Sequence, residues 1–79
     1  MNQMINGRME RSINLRHGGP YDRGAADSYY GRDPVPHYFL GDTYTSPKVD
    51  KDNMTHDEID QYMRGFNDNE IARNFKDWD

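Results

Sequence analysis

The side chains of this sequence that could bind a metal ion or transfer protons are three histidines and fourteen carboxylates. His17, His37 and His56 do not have the spacing of a zinc-binding pair. The chain has no cysteine, which excludes thiolate ligands and disulfide bonds. We therefore expect no metal centre, and we expect the histidines to lie on the surface or in loops.

The segment that begins at Asp50 partly matches a calcium-binding loop. Asp50 and Asp52 occupy the first two ligand positions, but Met54 stands at the third and supplies no carboxylate. The segment also lacks a glycine at the sixth position, and Gln61 replaces the final bidentate glutamate. The sequence therefore predicts no calcium site.

Catalysis has no support in the sequence. Acid–base catalysis needs carboxylates that converge in an apolar pocket, and most of these fall at exposed ends of predicted helices. No glycine-rich loop follows a predicted strand, and Ser28 lacks the turn that activates a nucleophilic serine. A chain of 79 residues also leaves little room for a pocket of several hundred cubic ångströms. We predict a protein that is not an enzyme and uses no cofactor.

The aromatic residues give the chain a core around which to fold. Six tyrosines, three phenylalanines and one tryptophan make up 13% of it, whereas disordered segments are usually poor in aromatic residues. Tyrosine beside arginine can stack nucleic-acid bases, but in a small protein it more often fills the core or an interface. Tyr30 is the best candidate for an exposed contact, because it lies off the packing face of its predicted helix.

Charge is divided unevenly along the chain. Residues 1–40 contain five arginines and four carboxylates, whereas residues 41–79 contain five cations and ten carboxylates, and the net charge is −4. A nucleic-acid binder normally has a basic face, and only the first half could provide one. The acidic second half would repel phosphate and attract a basic partner.

Two helices must position these side chains. Pro20 suits the first turn of a helix and Gly31 suits the left-handed residue after it, so the first helix is predicted at residues 20–31. The second helix is predicted at residues 55–69, because Thr55 and Glu58 form a capping box and apolar residues follow at helical spacing. The apolar residues are Ile59, Tyr62, Met63 and Phe66.

Small residues indicate how the two helices pack. Gly65 interrupts the second helix at a cost of about 1 kcal/mol relative to alanine, which close contact with another helix would explain. The first helix offers matching small residues at Gly24, Ala25 and Ser28. We therefore predict a mainly α fold, a small helical hairpin with tyrosine and phenylalanine rings closing the sides.

The connection between the two helices contains Pro34 and Pro36, which exclude a helix there. Residues 37–40 and 43–45 are predicted as two short extended segments around a turn at residues 41–42. They form either a small β-hairpin or an ordered, irregular loop laid over the helices. A polar linker is predicted at residues 50–53.

The two ends of the chain are predicted to differ. Ile71, Phe75 and Trp78 are spaced for a further helical turn that folds back onto the pair. Residues 1–16 are expected to be a flexible arm, or a helix formed on a partner, and not a signal peptide.

A single domain is expected at residues 17–79. No apolar run reaches about ten residues, so we expect no membrane span and a cytoplasmic location in a bacterium or an infected host cell.

Several short motifs resemble the ribosome modulation factor family. That family has an Arg-Gly pair, a short helix and a Gly-Arg pair, at the separation found here between Arg23-Gly24 and Gly31-Arg32. Pro36-His37-Tyr38 is similar to the proline–tyrosine element that follows. The family's second helix carries an aromatic-x-x-Gly-aromatic motif, which Tyr62-Met63-Arg64-Gly65-Phe66 matches, so the resemblance covers about residues 20–67. The segment PYDRGAADSYYGR also resembles small uncharacterised proteins of tailed bacteriophages.

The resemblance implies a two-helix hairpin that acts on the ribosome, with Arg23, Arg32 and Tyr38 near ribosomal RNA. This chain departs from the family in two respects, because the family is strongly basic and its helices are joined by a shorter segment. Phosphate contacts dominate affinity for nucleic acids, so the fold can carry over without the ligand.

Two functions are predicted from these observations. The first is a small regulatory protein of bacteriophage type that binds a host protein through its acidic second half. The second is a ribosome- or RNA-associated modulator that uses the arginines and tyrosines of the first half. A homodimer is a further prediction, since a thin core often needs a second copy to bury its aromatic residues. The residues expected to bind a partner are Arg16, Arg23, Tyr30, Arg32, Tyr38, Asp57, Asp60, Arg64, Asp68 and Glu70.

The surroundings of four arginines distinguish the two functions. These are Arg16, Arg23, Arg32 and Arg64. One contiguous basic patch favours RNA, whereas ion pairs within the chain favour a protein partner. The carboxylates available for such pairs are Asp22, Asp27 and Asp60.

Overall fold

A close contact between two helices organises the fold. The structure is a computed structural model that describes residues 15–77, in which helix α1 is Pro20–Tyr29 and helix α2 is His56–Ala72. Between them lie two antiparallel strands, and a single 3₁₀ turn follows the second strand. Strand β1 is His37–Phe39, strand β2 is Lys48–Asp50 and the 3₁₀ turn is Lys51–Asn53. The described residues therefore confirm a small, mainly α fold and favour the β-hairpin over the irregular loop.

Gly24 and Gly65 allow the helices to touch backbone to backbone. A Cβ atom at Gly24 would overlap the carbonyl oxygen of Tyr62 and would lie 2.9 Å from the amide nitrogen of Phe66. A Cβ atom at Gly65 would overlap the carbonyl oxygen of Tyr21. The predicted contact through small residues is therefore confirmed, and each of the two glycines faces the backbone of the opposing helix.

The ends of both helices follow from local sequence. Pro20 begins α1, and Gly31 follows the helix with a φ of 70°, a conformation that glycine adopts without steric cost. The Thr55 hydroxyl accepts a hydrogen bond from the Glu58 amide, and the Glu58 carboxylate accepts one from the Thr55 amide. This is the predicted capping box, and it fixes the start of α2. Helix α2 extends beyond its predicted end at residue 69 and is terminated by the left-handed Arg73.

A turn replaces the extended segment predicted at residues 43–45. The carbonyl oxygen of Asp42 accepts hydrogen bonds from the amide of Thr45 at 3.3 Å and from the hydroxyl of Ser46 at 2.9 Å. Tyr44 lies inside this turn with a φ of 64°, which is uncommon for a bulky residue. The strand prediction at these residues is therefore wrong, because local hydrogen bonds reverse the chain there.

The strand that pairs with β1 lies further along the chain, immediately after the turn. The register places Tyr38 opposite Val49, which is half-buried, while Lys48 and Asp50 on either side are exposed. Such alternation is typical of a strand with one covered face. The linker predicted at residues 50–53 is corrected accordingly, because its first residue ends β2 and the next three form the 3₁₀ turn.

The interior is thin and partly polar. Among residues 15–77, the buried apolar side chains are Phe39, Met54 and Tyr62. The buried polar side chains are Arg23, Asp27 and Ser28. Polar groups in an interior need hydrogen-bond partners to offset the loss of water. The stability of this fold therefore depends on polar contacts as well as on aromatic packing.

The predicted N-terminal arm falls mostly outside the described residues, which begin at Leu15. Arg16, at the end of the predicted arm, contacts the hairpin. Its guanidinium donates hydrogen bonds to the carbonyl oxygens of Phe39 at 2.6 Å and of Gly41 at 3.2 Å. The described part of the arm is thus joined to the core.

The C-terminal segment returns to α1 without a further helix. Ile71 belongs to α2 and is 79% exposed, and residues 73–77 contain no helical turn. The Lys76 amide instead donates a hydrogen bond to the carbonyl oxygen of Tyr29 at 2.7 Å. The prediction of a helical fold-back is wrong for these residues, because α2 continues through Ile71 and then breaks; Trp78 lies outside the described residues.

Gly65→Ala is expected to destabilise the protein, although alanine favours a helix over glycine by about 1 kcal/mol. The added Cβ would overlap the Tyr21 carbonyl oxygen, and we expect a net loss of about 1–3 kcal/mol, the usual cost of overpacking. Urea unfolding followed by circular dichroism measures this free energy. Asn67→Ala, at an exposed position of α2, is the matched control and should change it little. Equal or greater stability of Gly65→Ala would contradict the backbone contact.

Candidate functional site

A buried carboxylate, Asp27 on α1, binds side chains from both the connection and α2. It is 4% exposed. The Tyr62 hydroxyl donates a hydrogen bond to Oδ2, and the Arg32 guanidinium donates one to Oδ1 at 3.3 Å. The Tyr62 hydroxyl also accepts a hydrogen bond from the Val35 amide at 3.0 Å. Asp27 thus joins the three parts of the fold at one point.

Tyr62 is the most deeply buried aromatic side chain at this point, with no exposed surface. Burial raises the pKa of its hydroxyl far above the ordinary value, and the hydrogen bond to Asp27 raises it further. The hydroxyl therefore keeps its proton at neutral pH and remains a hydrogen-bond donor to the carboxylate.

His37 places a titratable ring beside the same carboxylate. Its Nδ1 lies 3.8 Å from Oδ2 of Asp27 and 2.8 Å from the carbonyl oxygen of Val35. The ring also contacts those of Phe39 and Tyr62, with centroids 5.8 Å away in each case. The expectation that every histidine lies on the surface or in a loop is wrong for His37, because strand β1 carries its side chain against the core.

The cluster opens into a pocket of about 590 Å³. Its lining residues are Asp27, Arg32, Asp33, Val35, His37, Phe39, Tyr44 and Lys48. This volume falls within the range of small-molecule sites. The expectation that so short a chain lacks room for such a pocket is wrong. Turn and loop residues supply much of the wall, so the pocket does not have to be enclosed by the thin core.

The sequence holds one indirect signal for this site. Asp27 follows Gly24 by three residues, so it lies near the face of α1 that packs on α2. A carboxylate near a packing face needs a partner, and Tyr62 lies on the packing face of α2. The sequence contains no comparable signal for Tyr44 or Lys48, because the hairpin register brings them to the pocket.

The arginines expected to form a basic surface are mostly engaged within the chain. Arg23 is buried and pairs with Asp22, with Nη2 and Oδ2 3.1 Å apart. Arg32 binds the buried carboxylate described above, and Arg16 binds carbonyl oxygens of the hairpin. Arg64 is exposed on α2. The structure thus holds three of the four guanidinium groups in contacts with the protein itself.

The two tyrosines expected to bind a partner also make contacts within the chain. Tyr30 is 40% exposed, and the Arg32 guanidinium lies 4.8 Å from its ring centroid. Tyr38 is half-buried, and a hydrogen bond to Glu58 raises the pKa of its hydroxyl. Tyr30 is the more accessible of these two, but Tyr44, at 72% exposed, is more accessible than either.

Two of the predicted acidic residues hold the helices together. The Tyr21 hydroxyl donates a hydrogen bond to Asp68 at 2.6 Å, and the buried Ser28 hydroxyl donates one to Glu70 at 2.6 Å. The bond to Asp68 raises the pKa of Tyr21. Asp68 and Glu70 are nevertheless exposed, so each can bind α1 and face solvent at once.

The other predicted acidic residues, Asp57 and Asp60, lie on the exposed side of α2 with Arg64. Asp57 accepts a hydrogen bond from Gln61 at 2.8 Å, within the helix itself. Positions 57, 60, 64 and 68 are three or four residues apart, so they share one face of the helix. We call these four residues the acidic face; it carries three carboxylates and one arginine.

Comparisons with protein-family models, with curated proteins and with solved structures find no match to this chain. Within residues 15–77, no three histidine or carboxylate side chains are placed to hold a metal ion. Neither α1 nor α2 has the length and apolar character needed to cross a membrane.

Tyr62→Phe is expected to lower the free energy of unfolding by about 1–3 kcal/mol, because it removes a buried partner from the Asp27 carboxylate and the Val35 amide. Tyr21→Phe is the matched control, since it removes a hydroxyl that binds an exposed carboxylate. Urea unfolding of both variants should show the larger loss for Tyr62→Phe. Equal losses would contradict the central role of the buried carboxylate.

The same two variants test the raised pKa of Tyr62 at alkaline pH. The folded state holds the Tyr62 proton more tightly than the unfolded state does. The protonated hydroxyl therefore contributes fully to the free energy of unfolding below pH 10, and this contribution is lost as pH rises above that value. The stability difference between the wild type and Tyr62→Phe should therefore narrow between about pH 10 and about pH 12. Less narrowing is expected for Tyr21→Phe. A difference for Tyr62→Phe that stays constant over this range would exclude a raised pKa.

Proposed function

We propose that this protein is a small, non-enzymatic regulatory protein that binds a basic surface of a protein partner through the acidic face of α2. One observation carries the proposal. Arg16, Arg23 and Arg32 bind carbonyl and carboxylate groups of their own chain. The acidic face is exposed, and the hydrogen bonds that Asp57 and Asp68 accept within the chain come from uncharged side chains, so their charges face solvent. A carboxylate that pairs with a guanidinium offsets its charge and so weakens its attraction for a phosphate.

The acidic face suits a protein partner because its charges lie in one row. Asp57, Asp60 and Asp68 line the exposed side of a regular helix, with Arg64 among them. Exposed charges of one sign steer a partner of opposite sign and speed association, and salt weakens this effect. The partner proposed is therefore a protein with a lysine- or arginine-rich surface, including one that otherwise binds nucleic acid.

The proposed setting is the cytoplasm of a bacterium or of an infected host cell, and the resemblance to bacteriophage proteins supports it. Self-association through the acidic face is disfavoured, since two copies would bring carboxylates against carboxylates. A homodimer, if formed, would have to use another surface.

The ribosome or RNA is the second candidate, because Arg64 is exposed and the motifs around Arg23, Gly31 and Gly65 resemble the ribosome modulation factor family. Arg23 and Arg32, which the resemblance places near RNA, already pair with the carboxylates of Asp22 and Asp27. The following experiment separates the two candidates.

The test is affinity capture from bacterial lysate with the tagged full chain, with and without nuclease, read by mass spectrometry. The variants are Asp60→Lys on the acidic face and Asp42→Lys in the hairpin turn, both at exposed positions and with the same change of charge. We expect to capture a partner protein whose recovery does not change with nuclease treatment. Asp42→Lys should retain this partner, whereas Asp60→Lys should lose about tenfold or more in affinity for it. Ribosomal proteins that disappear after nuclease treatment would instead establish the second candidate.

A further inference from the structure

The wall of the pocket contains an aromatic residue in a strained backbone conformation. Tyr44 has a φ of 64° and is 72% exposed. A bulky side chain rarely adopts this backbone conformation, and burial does little to offset the cost here. The turn nevertheless holds the ring 5.3 Å from Phe39 and 6.0 Å from the Arg23 guanidinium. The ring is therefore kept at the mouth of the pocket by the backbone.

Other apolar groups continue this wall into the pocket. The Phe39 ring is buried behind Tyr44, and the His37 ring meets Phe39 edge to face. Val35 lies in the lining and is 62% exposed. Aromatic rings bind other flat rings by stacked or edge-to-face contact. The wall thus offers an apolar surface suited to a flat ring.

The charged groups of the pocket differ in how far they are already satisfied. Both oxygens of Asp27 accept hydrogen bonds, and the residue is 4% exposed. The side chains of Arg32 and Lys48 are about half exposed, at 51% and 53%. Lys48 Nζ lies 3.5 Å from Oδ1 of Asp50, an exposed carboxylate outside the lining, so water screens this pair. A guanidinium has five N–H donors, and a single carboxylate cannot accept hydrogen bonds from all five. Asp33, the remaining carboxylate of the lining, is exposed, so water screens its charge.

We propose that this pocket binds a small, flat aromatic molecule that carries a carboxylate. The ring lies against Tyr44 and His37, and the carboxylate lies between Arg32 and Lys48. A volume of about 590 Å³ accommodates such a molecule. The site is separate from the acidic face, and this proposal does not depend on the proposed function.

Three probes with the same ring and different charge test the proposal: indole-3-acetate, indole-3-acetamide and tryptamine. Each is titrated at neutral pH into the full chain labelled with nitrogen-15, and amide chemical shifts give the site and the affinity. We expect shifts at the pocket lining, with indole-3-acetate binding about tenfold more tightly than the amide and tryptamine binding most weakly.

Two variants with a matched control locate the binding. Tyr44→Asn removes the ring but keeps a residue that tolerates positive φ, so the fold is retained and affinity should fall about tenfold. Lys48→Ala should weaken binding of indole-3-acetate about threefold to fivefold. Lys51→Ala, at the first position of the 3₁₀ turn and outside the pocket lining, should leave the affinity unchanged. The proposal is overturned if the lining shows no shifts, if tryptamine binds as tightly as indole-3-acetate, or if the two lysine variants behave alike.

Discussion

The rest of the structure depends on the contact between the α1 and α2 backbones at Gly24 and Gly65. Two helices that touch in this way leave no space between them for a layer of apolar side chains. The apolar side chains must therefore lie beside the contact, where Tyr62, Phe39 and Met54 are buried. Those positions border the connection between the helices, and for this reason the hairpin is part of the core rather than an accessory to it.

This arrangement explains why so much of the interior is polar. Tyr62 has an apolar ring to bury and a hydroxyl that needs a partner, and Asp27 and the Val35 amide supply that partner. The carboxylate in turn needs a cation, which Arg32 supplies from the segment after α1. One aromatic residue with a polar end thus links α2, α1 and the connection. The same groups form one side of the pocket, so the interactions that stabilise the fold also shape the pocket.

The parts of the fold that could be predicted from sequence are those set by neighbours along the chain. The helix starts at Pro20 and at the Thr55 capping box follow from residues within one helical turn, and the structure confirms them. The contact between Gly24 and Gly65 joins distant residues, but a glycine inside a helix is itself a local signal of close packing. The second strand could not be predicted, because its position depends on hydrogen bonds at Asp42 and on pairing with a distant strand. The buried role of Asp27 likewise arises from residues of three separate segments. The acidic face could be read from spacing alone, whereas the function proposed for it stays a proposal.

The two glycines also limit how the sequence can change over evolutionary time. Most core contacts can drift, since a larger side chain on one element is offset by a smaller one on its neighbour. Gly24 and Gly65 each face a carbonyl group of the opposing backbone, and a backbone cannot be made smaller by mutation. No second substitution can therefore compensate for a change at either position. In a lineage that keeps this fold, both glycines should stay fixed while the charged surface and the hairpin turn diverge.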